Sequence, residues 1–549
     1  MSRKYFSLVL HSHIPYVLDH GSWPHGMDWI YEAAAETYLP LLDVFERLAA
    51  EGIPPQVNIG FTPVLMAQLK DPDFVRGFDA YLRMKIEIAD GDGDAFRKTG
   101  HPLLPLTVFW GDWYRRILHD FHERFQGDIL EGFRSLQDRG QIEVLTSAAT
   151  HGYFPLLEKD ASIRHQVRQG RFVYRKYFGR EARGFWVPEC AYRPAYAWKS
   201  PLGDGQPYPR LGVDEILGQE GVGYFFVDAH LLKGGEAKGV YLDRFPGLKL
   251  LWEKFRKEYR PADELSRDPY SSYLAYPSNV PFFARDEVSG SQVWSRHMGY
   301  PGDGRYLEFH KKHFPGGMRY WRVTSEDPDL ALKEPYDPGA ASGRLDDHAA
   351  HFVSVVESAL RDKESGVVVA LYDTELFGHW WFEGPEWIYR VLKALSRSPV
   401  RPLTAGGCLD ELPPLDIISL PEGSWGQGGF HWIWFNEETS WIWKNIYRIE
   451  EIEEELRPRT AGLDKRLLRQ FYREKFLLES SDWPFLISTW TARDYAENRA
   501  AEHFARALEL AGWLKGGGPL TAAREALLQT YEKEDGLFEE IVLPDGTII

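Results

Sequence analysis

Short apolar runs of β-branched and aromatic residues, each ending on polar side chains, recur along the chain up to about residue 375. They are YFSLVLHSH (5–13), QVNIGFTP (56–63), QIEVLTSAATHG (141–152), GFWVPE (184–189), GYFFVDAH (223–230), SQVWSRHMGYPG (291–302) and VVVALYD (367–373). Their length and composition predict buried strands. Between several of them the apolar spacing lengthens to that of an amphipathic helix. Residues 36–50 put Leu41, Leu42, Phe45 and Leu48 on one face ahead of Gly52, residues 113–139 carry a second stripe that stops at Gly140, and residues 346–362 carry a third. Strands alternating with helices predict a parallel sheet or barrel. In a barrel the chemistry collects at the carboxyl ends of the strands. There the runs end on His11, His13, His151, Glu189, Asp228, His230 and Asp373.

The spacing also predicts the larger organisation. Residues 66–140 are too long for one crossover helix and read as a helical insertion. Residues 233–290, with Gly234, Gly235, many charges and several tyrosines, read as a long loop over the site. Past residue 400 the character changes. A proline- and glycine-marked stretch leads into WIWFNEETSWIWK, and helical patterns dominate 444–533. The expected division is an α/β catalytic domain over 1–400 and a C-terminal α-helical domain over 401–549. The second would pack on the first through its Trp-rich start and contribute to the substrate groove.

Charge narrows the partners. The net charge is -17 and no Lys/Arg-rich block occurs, so a nucleic-acid partner and an anionic membrane are both disfavoured, and a neutral substrate fits better. The N-terminal apolar run is too short for a signal peptide, and no stretch approaches the roughly 20 apolar residues of a spanning helix. A soluble, cytoplasmic protein is expected. Two cysteines, Cys190 and Cys408, leave room for one bridge but not for a disulfide framework. Aromatics make up 15% of the chain; most belong in the core, and a surplus would suit a cleft that stacks sugars.

Two carboxylates stand out. Glu189 lies in GFWVPECAY and Asp373 ends VVVALYD ahead of TELFGHWW. A pair of carboxyl groups wrapped in aromatics fits glycosidic-bond chemistry, in which one is ionised and the other donates a proton. Pro188 makes the backbone before Glu189 extended, and a poorly solvated lone carboxylate is costly without a purpose. Glu375 is the local rival of Asp373, which is better placed if the strand stops at Tyr372. Cys190 has no histidine partner nearby in the sequence. The histidines of HSHIPY, with His151, Asp228 and His230, read as metal ligands, as hydrogen-bonding groups for sugar hydroxyls, or as satisfied structural residues. GYPGDG (299–304) lacks the Gly-Lys-Ser/Thr of a phosphate loop. Arg285, Trp294 and Gly302 around it fit a sugar-binding rim or a plain turn. By spacing alone Trp425 and Asp482 read as structural.

HSHIPY, GFTPVL, ATHGY, FWVPECAYRP and YDTELFGHWW, in that order, resemble the signature regions of glycoside hydrolase family 57. EGSWGQGG and LESSDWPF resemble the C-terminal part of that family's glucan branching enzymes, so the likeness spans almost the whole chain. The resemblance implies a catalytic (β/α)7 barrel with a helical insertion, followed by a C-terminal α-helical domain. It implies a retaining mechanism with no metal or other cofactor, Glu189 as nucleophile and Asp373 as general acid/base. His11, His13 and His151 would line the donor glucose subsite, while Arg285, Gly302, Trp425 and Asp482 match substrate-contacting positions. A loop carrying a tyrosine at its tip is also implied, for which Tyr241 stands after Gly234 and Gly235. Cys190 stands where relatives often have Met. The implied partner is an α-glucan such as amylose or glycogen, with an α-1,6 branch as product. An α-amylase or 4-α-glucanotransferase is the near alternative; a metal-dependent sugar hydrolase or deacetylase and a non-catalytic glucan-binding protein are the distant ones.

Overall fold

A computed structural model describes residues 3–203, 205–234, 242, 245–295, 299–325 and 329–549. Seven parallel strands form its centre: β1 (Arg3–Ser12), β2 (Val57–Phe61), β3 (Ile142–Ser147), β4 (Gly184–Trp186), β5 (Tyr224–Val227), β6 (Pro281–Ala284) and β7 (Ser365–Asp373). They run in the spatial order β7-β1-β2-β3-β4-β5-β6. The sheet curls until its two ends meet, where the Asp286 N–H just past β6 donates to the Val369 carbonyl of β7 at 2.8 Å. The result is the (β/α)7 arrangement. Its strands read as unbroken apolar runs because helices cover the outside while side chains fill the inside. β2 is buried at every position, as is β7 from Gly366 to Tyr372.

Register positions the chemistry. β1 and β7 pair from Arg3↔Ser365 through to His11↔Asp373, so both strands finish level and set an imidazole beside a carboxylate at the mouth.

Two expectations are corrected. The described residues of the run SQVWSRHMGYPG form no strand: Glu287–Trp294 is a helix and Tyr300–Gly302 a short turn. The Asp286 carboxylate caps that helix by accepting from Ser289 N–H at 2.7 Å, a local preference that overrides the short apolar pattern. The sixth strand is instead Pro281–Ala284, inside the stretch read as a loop; its four residues are flanked by an antiparallel partner, Tyr273–Ala275. The stripe over 113–139 is likewise not one helix. Leu104–His119 and Ile129–Asp138 are separated by a turn in which Gln126 and Gly127 take φ of 53° and 76°.

The insertion is helical, dominated by the long helix Pro72–Thr99 packed beside Leu104–His119. The C-terminal helical region comprises Ser440–Leu456, Lys465–Leu478, Asp482–Thr489, Arg493–Gly516 and Ala522–Glu534. It meets the barrel through aromatics: Tyr153 stacks on Trp434 with centroids 4.4 Å apart, and Trp443 donates its indole N–H to the Trp434 carbonyl at 2.8 Å. Gly152 also bridges to Ser480, and Ser481 N–H donates to the His151 carbonyl at 3.1 Å. Cys190 and Cys408 are both buried free thiols. Among the described residues no helix is long and apolar enough to cross a membrane.

Candidate active site

At the mouth of the barrel, β1 delivers His11 and, one residue past its end, His13. His11 lies flat on Trp186 of β4, with centroids 4.5 Å apart and planes within 7°. His11 Nε2 meets His151 Nε2 at 3.0 Å, so one ring donates to the other. His13 stacks on His151 at 4.1 Å. Its Nδ1 meets Thr62 Oγ1 at 3.0 Å and its Nε2 meets Asp482 Oδ2 at 2.8 Å, while His151 Nδ1 meets Ser481 Oγ at 2.9 Å. Burial holds His11 and His151 well below the usual imidazole range, and the neighbouring histidines add to that shift. Both rings are therefore neutral near pH 7, able to donate from one nitrogen and accept at the other, which suits hydroxyl groups. Facing atoms of His13, His151 and Asp482 lie within 4.8 Å of one another, close enough to hold a cation, but in this arrangement His13 and Asp482 are bonded together and His151 is taken up by His11 and Ser481.

Glu189 enters from β4 on a strained turn. Glu189 and Cys190 have φ of 58° and 46°, a left-handed pair that costs on the order of 1–3 kcal/mol per residue. The turn is held from the C-terminal side. Trp425 donates its backbone N–H to the Glu189 carbonyl at 3.1 Å and its indole N–H to Oε2 at 2.7 Å, with Ser481 Oγ 3.5 Å from Oε1. The Glu189 side chain is only 12% exposed. Burial pushes its carboxyl up to about 8, the charges of Asp373 and Asp482 add to this, and the Trp425 N–H opposes it. Burial also pushes the Cys190 thiol well above its ordinary range, against service as a thiolate nucleophile.

Asp373 is the last residue of β7 and lines the same cleft. Glu375 follows in a short turn, where its Oε1 accepts from the Tyr38 hydroxyl and from His13 N–H. Burial raises Glu375 to about 8, with Asp373 adding. Its carboxyl is thus tied to the protein around it. Trp294 lines the cleft, donating to the Leu371 carbonyl at 3.2 Å and standing edge-on to Trp425 at 6.1 Å.

Two predicted residues lie off this cleft. Arg285 is buried against Asp228, Nε to Oδ1 2.7 Å. Burial would raise Asp228, but the Arg285 charge and the His230 contact at 3.1 Å hold it at about 2. This is a fixed ion pair behind the cleft wall. Gly302 lies exposed in a turn anchored by Tyr300, which stacks on His348. Tyr241 lies outside the described residues.

The cleft, about 420 Å³, also recruits residues the sequence did not single out: Trp23, Trp29 and Glu32 from the segment after β1, and Phe309, Phe485 and Leu486. Phe309 stacks on Trp380 at 4.9 Å. The available signals were aromatic doublets, WPHGMDW and GHWW, which mark a wall only once the chain is folded.

Comparisons with known proteins agree with this geometry. The family model described as glycosyl hydrolase family 57 matches residues 7–421, and a model described as the C-terminal part of 1,4-alpha-glucan branching enzymes matches 443–544. A 1,4-alpha-glucan branching enzyme of Thermococcus kodakarensis is 42% identical over 98% of this chain and 78% of its own length; its crystal structure with glucose superposes with a TM-score of 0.87, covering 98% of this chain and 95% of that one. The branching enzyme of Pyrococcus horikoshii gives 0.84 at 39% identity, covering 98% and 95%. The alpha-amylase AmyC from Thermotoga maritima gives 0.78 at 31% identity, covering 98% of each chain. The chain belongs to glycosyl hydrolase family 57.

Proposed function

We propose that this chain is a retaining 1,4-α-glucan branching enzyme. One observation carries the reading: Glu189 and Asp373, at the ends of β4 and β7, line one aromatic cleft to which the C-terminal region adds Trp425 and Asp482. In the proposed cycle the Glu189 carboxylate attacks the anomeric carbon while Asp373 protonates the departing oxygen, leaving a glycosyl ester on Glu189. Asp373 then takes the proton of an acceptor 6-hydroxyl, and that oxygen displaces Glu189 to form the α-1,6 bond.

One hydrogen bond supports the role of Glu189. The indole N–H at Glu189 Oε2 favours the charged carboxylate, against burial and the neighbouring Asp373. His11, His13 and His151 are the proposed ligands of donor hydroxyls, with Trp294, Trp425 and Asp482 as further contacts. Arg285 and Gly302 are not among the residues that line this cleft, and Tyr241, outside the described residues, is a proposed substrate contact. A glycogen-like polymer in the cytoplasm completes the proposal; two buried free thiols suit a reducing compartment.

Trapping tests the roles. Asp373→Ala incubated with an α-maltosyl fluoride, whose leaving group needs no proton, should accumulate an ester that peptide mass spectrometry places on Glu189. An adduct elsewhere, or none while turnover continues, would refute the assignment. The likeness to AmyC favours a second reading in which water is the main acceptor.

A further inference from the structure

The segment 421–432 has two faces. Ser424 N–H donates to the Gly429 carbonyl at 3.0 Å, closing a tight loop. On one side this loop delivers Trp425 to Glu189. On the other, Glu422, Gly428 and Phe430 form part of the wall of a separate cleft of about 470 Å³ that shares no lining residue with the active-site cleft among the described residues.

This second cleft is aromatic and built. Trp252 and Phe255 pack on Trp432, each with centroids 5.7 Å apart and planes about 30° apart, and Tyr259 stands against Trp252 at 5.4 Å. A Cβ at Gly428 would come within 2.7 Å of the Trp252 ring, so a glycine there lets the indole lie on the backbone. Phe430 is 52% exposed. Between the rings sit hydrogen-bonding groups of mixed sign. Glu422 accepts from the Tyr196 hydroxyl at 2.7 Å and meets His431 Nε2 at 2.8 Å; Glu258 and Arg260 lie on the rim. His230 Nε2 is buried without a hydrogen-bond partner among the described residues.

At Pro201, Phe255 and Phe435 the cleft runs into a further groove of about 640 Å³ that ends at Trp490, itself 49% exposed. The helix Asp482–Thr489 divides this groove from the active site, showing Phe485 and Leu486 to one and Ser488 to the other. Exposed rings with paired carboxylate and imidazole groups, and with the groove's Lys254 itself paired with Glu437 at 2.8 Å, fit a neutral polyhydroxylated chain rather than a phosphate or an acidic peptide.

We infer that this is a second α-glucan-binding cleft, which holds a chain of the polymer beside the loop that positions Glu189. The inference rests on the α-glucan reading proposed above. Native electrophoresis of the full chain through gels containing amylopectin tests it, alongside kcat/KM on a short maltooligosaccharide. Phe430→Ala, and separately Trp252→Ala, should weaken the retardation by about fivefold, the loss of roughly one ring contact, with kcat/KM on the short substrate unchanged. The exposure of Phe430 makes its variant the safer for folding, checked by melting temperature. Undiminished retardation of folded Phe430→Ala, while the unaltered chain still acts on amylose, overturns the second cleft alone. So does an equal loss on the short substrate, which would assign these rings to the active site. An unaltered chain that is neither retarded by amylopectin nor active on amylose defeats the α-glucan reading itself.

Discussion

The indole N–H of Trp425 lies 2.7 Å from Glu189 Oε2, joining residues 236 positions apart in the chain. The same tryptophan's backbone N–H holds the Glu189 carbonyl. One residue of the C-terminal part therefore fixes both the strained turn and the carboxylate that the turn presents.

Trp425→Phe keeps the ring and removes the donor. A hydrogen bond to a charged group contributes about 1.5–3 kcal/mol, so kcat should fall about 10- to 100-fold with little change in melting temperature. Steady-state kinetics and a thermal melt check this; a kcat within a factor of two would show that the bond does not serve the reaction.

Glu375 and Asp373 are two residues apart but should behave differently. Glu375 is raised to about 8 and is tied to Tyr38 and His13, so at pH 7 it is protonated, and Glu375→Gln preserves its charge state. Activity should stay within about tenfold. Asp373→Asn removes the proposed acid/base group, worth about 10²–10⁴ in rate. Equal losses in the two variants would make Glu375 the acid/base candidate.

Stability should fall above neutrality. Burial raises Glu375 and Glu450 to about 8 and Glu383 to about 7. Between about pH 6.5 and 8.5 the unfolded chain has these groups ionised while the folded one still binds their protons. Folding therefore weakens as pH rises through that window. Below about pH 6.5 His11 and His151 oppose this trend, because burial holds them neutral while the unfolded imidazoles take up protons. The melting temperature should fall from about pH 6.5 to 8.5, and Glu450→Gln should narrow that fall. A melting temperature that rises across that interval would contradict the account.

Much of this was legible in the sequence, for reasons tied to particular residues. A strand buried on both faces leaves an unbroken apolar run, so VVVALYD and YFSLVLHSH announced both their conformation and the polar groups at their ends. Pro281–Ala284 was too short to compete with its flanking turns. Glu287–Trp294 was set by its Asp286 cap rather than by its apolar residues. Trp425 and Ser481 could not be assigned by spacing, since their role depends on a helical region folding back across the barrel mouth. Nor does any local pattern show that Glu189 adopts a left-handed conformation; that conformation is imposed by Trp425. Arg285 looked like a rim residue, and only the fold shows it spent on Asp228.

The central claim is that the glycosyl group on Glu189 passes to a 6-hydroxyl. The most direct measurement is incubation with amylose, followed by reducing-end analysis before and after treatment with a debranching enzyme. The account predicts few new reducing ends before debranching and a population of short chains released by it. Reducing ends that accumulate from the start, with no change on debranching, would contradict it and make the chain a hydrolase.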